Sequence, residues 1–174
     1  MGFDSNKNLT QLSNVVKENL KTYLSQFRLV TDAVNIKDAY VINIGVNFSI
    51  LTKVGFNKND VLLRCVSRVK DFFNIDRWQI GQPIILSDIA YELSLVDGVA
   101  SIVPPVENNP SKLPILIENK YKVADGYSGN FYNIEKSLID GVLYTALDPS
   151  IFEVKYPNSD IKGRVVGDNL TIGD

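Results

Sequence analysis

From Tyr40 to Ile50 bulky apolar residues fall at every second position: Tyr40, Ile42, Ile44, Val46, Phe48 and Ile50, with Val41, Asn43, Gly45, Asn47 and Ser49 between them. Period two identifies a strand with one face on a core and the other toward water. Even-numbered side chains are therefore expected inward, beneath helices that cover one face of a sheet, and odd-numbered ones outward. Gly45, in the outer row, is expected to mark a bulge or the close approach of another backbone.

Helical periods lie on both sides of this strand. Leu9, Leu12, Val16, Leu20, Tyr23 and Phe27 recur at steps of three and four opposite Asn14, Glu18, Lys21 and Ser25, which predicts an amphipathic helix from Leu9 to Phe27. Val15 falls off that stripe and should be at least partly exposed unless another surface covers it. Leu29 to Val34 then leads into the strand. Beyond it, Asn57 or Asn59 can cap a helix ending near Phe73, with Leu62, Cys65, Val66, Val69, Phe72 and Phe73 on one arc and Arg64, Ser67, Arg68 and Asp71 on the other. Leu63 sits on the shoulder of that arc beside Lys70. Ile75 to Ile85 reads as an ordered, partly extended connection. Ser87 has the chemistry to cap a short helix, and Asp97-Gly98 ends it or turns into a strand from Val99 to Val103. Strand, two helices, strand fits an antiparallel return.

Pro104-Pro105 and Glu107 to Ser111 interrupt this unit. Beyond them Leu113 to Ile117, Tyr121 to Val123, Gly141 to Thr145 and Ile151 to Tyr156 read as short strands between turns, the most prominent turn being Asp125 to Asn130. Pro114 cannot donate to a ladder, so the first of these is expected at a sheet edge. The expected organisation is a flexible leader at 1–8, an α+β core module at 9–104, a strand- and turn-rich extension packed on it at 105–166, and a frayed tail at 167–174. The fold class is α+β, a small sheet with amphipathic helices on one face followed by that extension.

Composition narrows the chemistry. A chain of 174 residues can bury a core without disulfides, and its single cysteine, Cys65, lies on an apolar helix face and packs like a small hydrophobe. With 18 Lys+Arg against 20 Asp+Glu the net charge of -2 gives no long-range pull toward phosphate or anionic lipid, so neither nucleic acid nor membrane is an expected partner. No histidine is present, which removes the usual base of nucleophilic catalysis and the usual imidazole metal ligand. No catalytic residues, metal or cofactor are expected. Carboxylates can still move protons: Asp71 and Asp76 flank an aromatic pair, and Asp88 and Glu92 stand one helical turn apart. Solvated helix positions, caps and ion pairs account for such spacings more simply. Two rival classes stay open, a small acid–base enzyme using carboxylates and a monomeric nucleic-acid-binding α+β module. Tyr40 and Phe48 would be the stacking platform for the latter, but they share the face expected under helices.

The ordered series Val30-Thr31-Asp32-Ala33-Val34, Asp38-Ala39-Tyr40 and the alternating strand, then Phe72-Phe73, Trp78, Ile80-Gly81-Gln82-Pro83-Ile84, Leu86-Ser87-Asp88-Ile89 and Val96-Asp97-Gly98-Val99, resembles the C-terminal part of the baseplate J-like family. Ile151 to Pro157 with Asp160-Ile161 and Gly163-Arg164 is similar to that region in the wedge proteins of T4-like contractile-tailed phages. The likeness spans most of residues 9 to 166, while the family's larger N-terminal portion is missing, so the chain is expected to be a fragment. The resemblance implies a structural virion protein of the tail baseplate, assembled in the host cytoplasm. It implies a homodimer that helps join wedges into the baseplate ring, with other baseplate wedge proteins as partners. A twofold contact of this kind is isologous, and the side chains left over from core packing are its candidates: Val15, Leu63, Trp78, Tyr127 and Tyr132.

Overall fold

The computed structural model describes residues 1–27, 34–105, 113–146 and 149–166, and the backbone of 171–172. Most of the connection at Leu29 to Val34, the break at Glu107 to Ser111 and most of the tail beyond Gly167 lie outside the described residues. In chain order the elements begin with β1 (Gly2–Phe3), β2 (Leu9–Thr10) and α1 (Asn14–Ser25). Next come β3 (Tyr40–Thr52), α2 (Lys58–Phe72), a 3-10 turn at Ile75–Arg77, β4 (Ile84–Ile85), α3 (Leu86–Ser94) and β5 (Val99–Val103). The second half contains β6 (Ile115–Asn119), a 3-10 turn at Val123–Asp125, α4 (Ile134–Ser137), β7 (Leu138–Ile139) and β8 (Val142–Leu143). It closes with β9 (Ser150–Glu153), α5 (Pro157–Asp160), β10 (Ile161–Val165) and β11 (Thr171–Ile172). The fold is α+β with mixed sheets.

Everything is built around β3. Along one side it pairs in parallel, first with β9 (Tyr40↔Ser150 to Asn43↔Glu153) and then with β10 (Val46↔Ile161 to Ile50↔Val165). Along the other it pairs antiparallel with β6 (Ile44↔Asn119 to Phe48↔Ile115) and then β5 (Ser49↔Val103 to Thr52↔Val99). The β5 pairing is the antiparallel return expected from strand, two helices, strand. β6 pairs only with β3 among the described strands, which places the segment after Pro114 at a sheet edge.

The even row of β3 behaves as its period dictates from Ile42 onward: Ile42, Ile44, Val46, Phe48 and Ile50 are buried. With Leu62, Cys65, Val66 and Val69 of α2 and Ile89 and Leu93 of α3 they form the main core. Tyr40 departs from the pattern and is 42% exposed, because it sits at the strand's entrance, ahead of the helices. Gly163 of β10 faces this core, and a Cβ there would lie 2.6 Å from the Phe48 ring and 2.8 Å from Leu62. The ring fills the space that a side chain would need.

The odd row corrects the expectation of a solvated outer face. Asn43, Gly45 and Ser49 are buried, because later parts of the chain cross over them. A Cβ on Gly45 would meet the Lys120 side chain at 2.7 Å and the Asp160 carbonyl at 3.3 Å. That is the close backbone approach its glycine suggested. The extension from 105 to 166 thus supplies three of the four strands that pair with β3 and covers its second face.

Other boundaries moved for local reasons. Leu9 and Thr10 pair with Gly2 and Phe3 in a hairpin, so the first helix starts after its Ser13 cap, whose Oγ accepts the Val16 N–H. Residues expected as a leader thus form the other arm of that hairpin. Asn57 caps α2 through Oδ1, which accepts from Asn59 and Asp60. Ser87 does not cap α3. It lies inside the first turn, Ile85 occupies the cap position, and the Leu86 N–H is satisfied by the Gly141 carbonyl at 2.9 Å. Tyr121 to Val123 is not a strand and leads into a 3-10 turn, while Ile161 to Val165, not among the strands expected from the sequence, is β10. No helix among the described residues is long and apolar enough to cross a membrane.

Candidate functional surface

Helix α1 has an apolar stripe that no other described residue buries. Val16, Leu20, Tyr23 and Leu24 line one side, Phe27 continues it past the C-terminus, and none of the helix residues is buried. The Tyr23 and Phe27 rings touch each other, 5.2 Å between centroids at 59°. This corrects the picture of every amphipathic helix packing on one sheet face: α2 and α3 do so, and α1 does not.

What fastens α1 to the rest is polar and gathers at its N-terminal end. Lys17 Nζ donates to Asp38 Oδ2 at 2.6 Å, and the Leu12 N–H donates to Asp38 Oδ1 at 3.4 Å. The bond from Lys17 holds the Asp38 carboxyl below the ordinary carboxylate range, helped by the Leu12 N–H. Just upstream, the Leu9 N–H donates to Glu153 Oε1 at 2.5 Å.

Glu153 belongs to a polar network on the outer face of β3. Its Oε2 accepts from Asn43 Nδ2 at 2.7 Å, and Asn43 Oδ1 in turn accepts the Ser128 N–H at 2.8 Å. Burial raises the Glu153 carboxyl above its usual range, against the opposing pull of the Leu9 and Asn43 donors. Ser128 Oγ and Asn130 Nδ2 both donate to the Val41 carbonyl. The loop at 125–130, read from sequence as a simple turn, is therefore stitched to the central strand. These groups wall an open cleft of about 600 Å³ that also includes Asp38, Lys37 and Lys155. Both of its carboxylates already accept protein donors, so neither is a free base facing the opening. Among the described residues no three acidic or thiol side chains gather as a metal-binding set.

The five residues singled out from the sequence separate into two groups. Val15 and Leu63 are exposed, at 70% and 54%, on α1 and α2. Trp78, Tyr127 and Tyr132 are engaged within the chain in three different places. Trp78 packs on Phe72 and Phe73, with centroids 5.9 and 5.4 Å away, and its buried Nε1 has no hydrogen-bond partner among the described residues. Tyr127 donates to Asp160 Oδ1 at 2.5 Å and packs edge-on against Tyr156. Burial together with that carboxylate raises its phenol well above the ordinary range. Tyr132 donates its hydroxyl to the Tyr144 carbonyl at 2.6 Å and its N–H to Asn119 Oδ1, with its ring against Phe152. These three close the fold, since a large amphipathic ring is well suited to joining an apolar neighbour to a backbone acceptor. The signal that could have identified α1 instead was its stripe, which the sequence displayed without revealing that no other element would cover it.

The acidic pairs are also dispersed. Asp71 and Asp76 are exposed, with Asp76 facing Lys7 at 3.7 Å, and Glu92 pairs with Arg68 at 2.7 Å between α2 and α3. No protein-family model matches this chain, and no match to it was found among curated proteins.

Proposed function

We propose that this chain is a structural assembly module of a contractile-tail baseplate, meeting a second copy of itself and neighbouring wedge proteins to join wedges into a ring, and performing no catalysis. The tail role rests on the resemblance in residue order described above. The observation that carries assembly is the uncovered stripe of α1. A 12-residue helix is marginal in water on its own, and most helical stability in proteins comes from burying an apolar face. A stripe of four large side chains continued by Phe27 therefore gains most when another surface covers it. Lys17 is neutralised by Asp38, which leaves Glu18 and Lys21 as the helix's remaining charges. Such a near-neutral face does not repel its own copy.

Area limits what α1 can do alone. A stable interface buries at least roughly 1,200 Å², more than one pair of short helices provides, so further exposed apolar groups such as Val15 and Leu63 have to take part. Light scattering over a dilution series tests the reading. Wild type is expected to be dimeric at high concentration and Leu20→Glu to be monomeric, with equal melting temperatures for the two at dilutions where both are monomers, because Leu20 supports no core. A wild-type chain that stays monomeric at high concentration refutes self-association. The tail assignment is checked separately, by labelling purified tail particles with an antibody against this chain.

A further inference from the structure

We propose that Asp38 and Glu153 form a two-point carboxylate clasp that sets the angle at which α1 leaves the body, making them positioning residues for the assembly helix. The inference rests on the assembly reading for its biological use but not for its physics. A helix fixed by packing takes its direction from interlocking side chains, and α1 has no buried residue to interlock. Its direction must come from elsewhere.

Among the described residues the contacts from Leu9, Leu12 and Lys17 to the body converge on those two side chains, the Met1 ammonium also faces Asp38 at 3.4 Å, and Lys7 pairs separately with the exposed Asp76. Glu153 Oε1 holds the Leu9 N–H at the end of the N-terminal hairpin. Asp38 then accepts the Leu12 N–H just before the cap and the Lys17 ammonium one turn into the helix. Points at residues 9, 12 and 17 straddle the Ser13 cap, so they constrain both the entry of the chain and the rotation of the first turn. One of the two carboxylates is braced from behind, and the other is shielded from water. Glu153 is buried against Asn43, whose amide is oriented by the Ser128 N–H. Asp38 has a side chain only 10% exposed, immediately before the central strand. Shielding of this kind reduces the screening that makes exposed ion pairs weak. The hydrogen bonds within the rest of α1, Thr22 Oγ1 to the Glu18 carbonyl and Ser25 Oγ to the Thr22 carbonyl, are internal to the helix and say nothing about its direction.

The test is a distance distribution between spin labels on Ser25→Cys and Ser94→Cys in the full chain at concentrations where it is monomeric. Cys65 stays unlabelled because it is buried and its thiol is pushed up to about 12 by that burial. Wild type is expected to give one narrow distance. Asp38→Ala should raise the population of other arm angles about fivefold, the change that loss of about 1 kcal/mol produces. Asp38→Asn, which keeps an acceptor for the Leu12 N–H and removes the charge that faces Lys17, should give a distribution between the two. Because Glu153→Ala risks misfolding, its arm of the clasp is read in the wild-type fold by hydrogen exchange, with the Leu9 amide protected. A broad wild-type distribution, an Asp38→Ala or Asp38→Asn distribution identical to wild type, or an unprotected Leu9 amide each overturns the clasp. Monomeric behaviour in the dilution series sinks the assembly reading instead, and the labelled monomer still judges the clasp.

Discussion

Trp78 illustrates how one side chain can be misread at the residue scale. From sequence it is a large aromatic beside a Gly-Pro turn and therefore a plausible anchor for a partner. In the fold it leans on Phe72 and Phe73 with its indole N–H buried and without a partner among the described residues. An orphaned donor of this sort costs about 1–3 kcal/mol, while the ring contributes apolar burial. Trp78→Phe, which keeps a ring and removes the donor, is expected to leave the denaturation midpoint unchanged or raise it, whereas Trp78→Ala should cost about 2–3 kcal/mol. Equal losses in urea titrations of the two variants would show that the indole nitrogen has a partner after all. Asn43 is the opposite case, a polar residue read as solvent-facing that is fully buried because every polar group on it is satisfied.

The elements differ in what makes each one form. α2 has a side-chain cap, an acidic first turn, a basic last turn and five buried residues, so local and tertiary terms agree. α1 has its cap and its tether to Asp38 and no buried residue. Its attachment should therefore respond to acid in a predictable direction. The Asp38 carboxyl lies below its ordinary value of 3.8 in the folded chain, chiefly through Lys17. Its contribution is complete above that ordinary value and is lost as pH falls through the depressed one. The melting-temperature difference between wild type and Asp38→Asn should be constant between about pH 5 and 7 and shrink as the solution is acidified further. A difference that grows on acidification would show that the carboxylate destabilises the fold. The β10 strand makes a related point: Ile161, Gly163 and Val165 are buried and alternate with Lys162 and Arg164. That period was present in the sequence, hidden by a glycine that the Phe48 ring requires.

For the whole molecule, the decisive fact is that β3 is completed by strands from far along the chain. β9 and β10 join it from more than a hundred residues away, and β6 from about seventy. The stretch from Leu9 to Val103 looks like a finished module in the sequence. It leaves β3 with β5 alone, one face of the strand bare, and Asn43 without Glu153 or Ser128. A chain ending at Val103 is accordingly expected to show no cooperative thermal transition by circular dichroism, while the full chain shows one. A sharp transition in the shortened chain would mean that α2, α3 and the β3–β5 pair suffice as a core. Pairings this distant are slow to form because loop closure precedes their reward.

Periodicity alone determined the long strand's buried row and the apolar arc of α2, because each depends on neighbours a few residues apart, and the order of elements indicated the antiparallel return to β5. Tertiary structure alone decided which strands flank β3, that its outer row is covered, that Trp78, Tyr127 and Tyr132 pack within the chain, and that no described element covers the stripe of α1. The physical reason is the same in each case. A local pattern fixes which side of an element prefers to leave water, whereas the surface that receives it is set by distant segments competing for the same space.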